Sequence, residues 1–185
     1  MSIPLATLAF LLTLGTPILS AQSPTTRALH LTVTDPLNRF VTGLAKEHFE
    51  VAENGVRRNL TEFWNPDSSI SLAVVSEVAL PNLRGLIEPN DELIQTQSIA
   101  DALRQLAVSK KPRIALIVSN ATNFNAAQIP GGIQVLQIDP NIIAKAIVEL
   151  RNQYQLVFES TNPSAGIEVI VNQPRGLPAL KVNRK

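Results

Sequence analysis

The 185-residue chain contains no cysteine. Disulfides, thiol nucleophiles and thiolate metal sites are therefore excluded. Histidine is nearly absent too. His30 and His48 both fall early in the chain, and with no matching ligand set around them they read as surface residues. The later part has no histidine, so no serine–histidine pair can be built there. Aromatic residues make up 4% and the formal net charge is +1. Basic residues come in pairs, Arg57-Arg58 and Lys110-Lys111, with no stripe. Without a basic field or a stacking platform, nucleic-acid binding is not expected. Gly131-Gly132 lacks the spacing and the lysine of a phosphate loop. No cofactor is expected.

Long apolar runs are missing except at the start. Residues 1–21 carry no Lys, Arg, Asp or Glu, and 5–14 form an apolar stretch of signal-peptide length, too short to span a bilayer. Gly15, Pro17 and Ser20-Ala21 supply the break and small residues of a cleavage site. Cleavage after Ala21 would leave about 160 residues, enough for one ordinary domain plus a small one. No later segment is apolar enough to cross a membrane, so the mature chain is expected to be secreted or periplasmic. Residues 22–27 read as a disordered leader.

What is present divides in two. Leu29, Leu31 and Val33 alternate with His30, Thr32 and Thr34, the period of a half-buried strand. Asp35-Pro36-Leu37-Asn38 reads as a turn. A second alternating run at 49–51 meets Asn54-Gly55, the dipeptide suited to a tight hairpin, and 56–64 should return antiparallel with a bulge. Residues 28–64 are thus expected to form a small β-module, and 65–69 a polar connector. From 70 onward the character changes. The apolar runs at 70–75 and 114–118 look like strands buried on both faces. A helix is predicted over 98–108 with Ser98 as its cap. A second follows Asp139-Pro140, with Ile142, Ile143, Ala146, Ile147 and Leu150 as its stripe. Strands are predicted at 154–158 and 167–171, and 81–97 reads as loop with a short helix. The alternation of strand and helix indicates an α/β layer fold.

These segments carry a family resemblance. Val33-Thr34-Asp35, Val41-Thr42-Gly43-Leu44, Phe49-Glu50-Val51 and Asn54-Gly55, then Ser71 to Val75, then Leu150-Arg151-Asn152-Gln153-Tyr154 with Thr161-Asn162-Pro163, and finally Leu180-Lys181-Val182, resemble the von Willebrand factor type A-related proteins of secreted bacterial origin, the acidobacterial VWFA-related domain. The resemblance implies a β-module at 28–64 followed, over 70–185, by a truncated Rossmann-like, type A-like sheet with flanking helices. Such domains usually hold a divalent cation with Asp-x-Ser-x-Ser after the first strand, because Mg²⁺ wants hard oxygens in octahedral array. Here Glu77 aligns with the aspartate, Ala79 and Pro81 with the two serines, and Asn120 with the later acidic position. The hydroxyls are gone, so the metal site is expected to be vestigial. The segment 133–138 can be read as a core strand. It also matches the family's Gly-Gly element before the last helix, which the alignment favours.

Ser76, Glu77, Ser119, Asn120 and Thr122 end adjacent predicted strands, where α/β sheets bind ligands. A weak polar pocket is one reading of them, ordinary loop ends another. Glu77 lacks the partner carboxylate that acid–base work needs. The expected function is an exported, non-catalytic protein-interaction or adhesion-type domain with an unidentified protein partner. The alternatives are a small envelope hydrolase using that pocket, or a non-functional relic of a larger type A protein.

Overall fold

The computed structural model describes residues 24–120, 122, 125, 129–162 and 164–184. The expected signal peptide lies outside them. The chain is sheet-rich and mixed, with eleven strands and two α-helices among the described residues. No helix among these residues is long and apolar enough to cross a membrane.

Two antiparallel sheets face each other across one core. The first has the order β11-β1-β9-β4, from β1 (Thr25–Thr34), β4 (Leu60–Trp64), β9 (Gln153–Ser160) and β11 (Lys181–Arg184). The second has the order β10-β2-β3, from β2 (Phe49–Glu53), β3 (Val56–Arg58) and β10 (Ile167–Val171). Alternate side chains point inward, as the pleat requires. Leu31, Val33, Phe49, Val51, Tyr154, Leu156 and Phe158 fill the space between the sheets. Asn54 and Gly55 both take positive φ, 49° and 78°, and turn β2 tightly into β3. The expected bulge is the register shift between Leu60 and Glu62.

A third sheet is wholly parallel. Its order is β6-β5-β7-β8, from β5 (Ile70–Val75), β6 (Glu92–Thr96), β7 (Arg113–Ser119) and β8 (Gln134–Ile138). Every residue of β5 is buried, because a helix covers each face. α1 (Ile99–Leu106) packs Ala102 and Leu106 on Ala73, Val75, Leu116 and Val118. α2 (Ile143–Arg151) packs Ile143, Ala146, Ile147 and Leu150 on Ile70, Leu72, Val74 and Ile117.

The structure differs from the sequence reading in several places, and Ile142, expected in the buried stripe of the second helix, precedes α2 and is 47% exposed. Thr25, Thr26 and Arg27, expected in a disordered leader, pair with Ser160, Glu159 and Phe158, so β9 satisfies their backbone groups. The strands expected at 154–158 and 167–171 within the α/β part join the antiparallel sheets: β9 sits between β1 and β4, and β10 pairs with β2. The alignment that removed 133–138 from the sheet is corrected, since β8 pairs with β7 from Ala115↔Gln134 to Ser119↔Ile138. And 81–97 contains β6, a strand with neither alternation nor a continuous apolar run, ordered by its parallel pairing with β5. The parallel unit is therefore inserted between β4 and β9, two neighbouring antiparallel strands.

Candidate functional site

The order β6-β5-β7-β8 makes successive connections leave β5 in opposite directions. Crevices form at such switch points, outside the carboxyl ends of the strands. Val75 is in register with Val118, so Ser76 and Ser119 emerge side by side. Neither is presented to a ligand. Ser119 is fully buried and Ser76 nearly so. Ser76 Oγ is spent on its own loop, accepting from the Val78 amide at 3.3 Å and donating to the Val78 carbonyl at 3.1 Å. The Asn120 amide donates to the Ile138 carbonyl at 2.8 Å, and the Thr122 amide to the Ser119 carbonyl at 2.9 Å. Thr122 Oγ1 is buried without a partner among the described residues. Glu77 is exposed. The structure thus gathers Ser76, Ser119 and Thr122 but seals them, and leaves the carboxylate outside.

The cavity at these strand ends is lined mostly by apolar side chains, with Asn141 among them. It holds about 260 Å³ between the loop after β5 and the start of α2. Val78, Ala79, Leu80, Pro81, Pro140 and Ile143 line it. Ala79 and Pro81 contribute a methyl group and a ring. Val78 and Ile142 stand 47% exposed nearby. Among the described residues no three His, Asp or Glu side chains lie close enough to hold a metal ion. Chemically, the surface can bury an apolar side chain.

Two buried charge clusters lie elsewhere, and neither was legible in the sequence. At the opposite end of the parallel sheet, Asp91 accepts from the Ile70 and Glu88 amides, each at 2.9 Å, and pairs with Arg151 Nε at 3.1 Å. Arg113, 2% exposed, donates to the Leu150 carbonyl, while its Nη1 has no partner among the described residues. Burial lowers Arg113 to about 10. His30 belongs to the same junction. It is half-buried, correcting its expected surface position. Burial first and the charge of Arg113 second lower it to about 4, against a hydrogen bond with Gln155. His48 is half-buried as well, its Nδ1 taking the Ala45 amide at 3.0 Å.

The second cluster centres on Glu53, which is buried. Its carboxylate accepts from Ser160 Oγ, pairs with Arg58 at 2.6 Å and lies 3.7 Å from Arg27. The Ser160 hydrogen bond and Arg58 hold it below the usual carboxylate range. Two arginines on one carboxylate, with no histidine, make a strut and not a catalytic pair.

The chain was compared with protein-family models, with curated proteins and with solved structures, and it matches none of them.

Proposed function

We propose that the chain is an exported, non-catalytic protein-interaction domain, a shortened and degenerate relative of the VWFA-related family. It docks a protein partner without a metal ion, at the carboxyl ends of its parallel strands. One observation carries this reading: the crevice where a ligand would sit is lined by Val78, Ala79, Leu80 and Pro81, with Val78 and Ile142 turned to solvent. Apolar side chains held in the open mark a contact surface when they cluster. The parallel order β6-β5-β7-β8, with one helix on each face, supports reading the unit as a truncated Rossmann-like, type A-like sheet. Glu77 stands exposed, whereas the Ser76 and Ser119 that a hydrolase would need beside it are buried.

A photo-crosslinking residue at position 78 tests the reading. In envelope fractions it should give one discrete protein adduct, lost with Ile142→Glu, while the same group at position 168 gives none. Magnesium, manganese or calcium should leave Tm unchanged, since only a bound ion stabilises the native state by mass action. A rise in Tm abolished by Glu77→Ala would refute metal independence. Export predicts a mature chain beginning at Gln22, read by N-terminal sequencing.

A further inference from the structure

Exposed sheet edges invite pairing, and proteins guard them with charge, proline or bulges. Most edges of this molecule are guarded. β3 carries Arg57 and Arg58, β4 has its bulge, β10 has Glu168 as its second residue, and β11 begins with Lys181 and ends with Arg184. β6 is not. Its sequence is Glu-Leu-Ile-Gln-Thr, its register with β5 is unbroken, and among the described residues it pairs with β5 alone. Its single charge is Glu92 at its first position, which is exposed and accepts from Ser109 Oγ at 2.8 Å.

A cavity of about 460 Å³ lies between this edge and the end of α1. Leu93, Ile94, Gln105 and Val108 line its middle, and Val108 is 77% exposed. Arg84 stands at the end where β6 begins, its Nη1 reaching the Asp91 carbonyl at 3.5 Å. No carboxylate among the described residues pairs with Arg84, for Asp91 is taken by Arg151. The groove therefore combines an open backbone edge, an apolar strip of Leu93, Ile94 and Val108 among polar side chains, and the exposed Arg84 at the end that Glu92 also lines.

We propose that β6 takes up an extended segment of a partner protein by antiparallel strand addition, with apolar side chains at alternate positions and a carboxylate meeting Arg84. In strand addition the main chain supplies affinity and alternate pockets supply specificity. An antiparallel edge strand on a parallel sheet is a common arrangement. It places the carboxyl end of the segment beside Arg84, so an acidic last residue or a free C-terminus fits there. A second copy fits less well. Two β6 strands paired about Ile94 would bring Thr96 and Gln97 to Arg84, and neither carries a charge. This surface is separate from the crevice at Val78 and Ile142, so crosslinking there and peptide binding here can fail independently.

The test uses the mature chain and labelled octapeptides that alternate Thr with Val, Ile or Phe and end in Asp with a free carboxylate. Fluorescence anisotropy should show saturable binding. The same peptides ending in an amidated Asn should bind at least about tenfold more weakly. Arg84→Glu should cost a similar factor and be rescued by peptides ending in amidated Lys. Val108→Glu should also weaken binding. Arg84 and Val108 are exposed, so an unchanged melting curve will show that both variants fold. Three outcomes would overturn the proposal: no saturation up to about 1 mM, affinity indifferent to Arg84→Glu, or a β6-dependent dimer in sedimentation that the peptides do not dissolve.

Discussion

Tyr154 shows how much one side chain does here. It is fully buried, and its ring packs against Phe49 at 4.9 Å and Phe63 at 6.1 Å between centroids. Its hydroxyl accepts from the Leu44 amide at 3.0 Å and donates to the Val41 carbonyl at 2.8 Å. Burial raises its pKa to about 12, so it stays a donor. Tyr154→Phe would leave both backbone groups unsatisfied. The expected loss is about 1–3 kcal/mol, measured by urea unfolding. His30 gives a pH signature. Its folded pKa, about 4, lies below the ordinary 6.5. Above pH 6.5 it is neutral in both states and its stabilising contribution is complete. As pH falls toward 4 the unfolded chain binds a proton that the folded chain refuses, and stability drops by at most roughly 3 kcal/mol. His30→Gln should flatten that slope in pH-dependent denaturation. A slope unchanged by the substitution would show that the junction does not strain the imidazole.

At the scale of elements, α1 is short and depends on its start. Ser98 Oγ accepts from the Asp101 amide at 3.3 Å, and Asp101 pairs with Arg104 at 2.8 Å. Ser98→Ala should cost about 1 kcal/mol, seen as a lower urea midpoint with an unchanged m-value. Legibility in the sequence also divides by element. β1, β2 and β3 could be read from their alternation and from Asn54-Gly55. β5 and β7 could be read because burial on both faces demands a continuous apolar run. α2 could be read from its apolar stripe and from Asp139, whose carboxylate accepts from the Asn141 amide at 2.8 Å and caps the 3-10 turn that leads into the helix. β6 could not, since Glu92 to Thr96 has no period of its own and is ordered by β5. β9 was legible as a strand but not as a neighbour of β1, because periodicity records which face is buried and says nothing about the partner. The strand-end residues Ser76 and Ser119 were correctly brought together by that logic. Their burial, and the apolar groove beside them, depended on loop geometry that spacing does not encode.

For the whole molecule, the decisive fact is that the α/β unit sits inside the antiparallel unit. β9 lies between β1 and β4, so the N-terminal strands have no complete sheet without the C-terminal ones. A fragment of residues 24–68 is therefore expected to show no cooperative melt, while the full chain melts cooperatively. Circular dichroism on both decides the matter, and a cooperative fragment would mean that β1 to β4 form a free-standing module.

Nesting also sets a timetable. Leu31, Val33, Phe49 and Val51 are made early, yet the strand that covers them begins only at Gln153. On the ribosome, and through any translocation pore, the first third of the chain has nowhere to fold until nearly all the rest has emerged. Closing late keeps the polypeptide threadable for longest, and it leaves those side chains uncovered for as long.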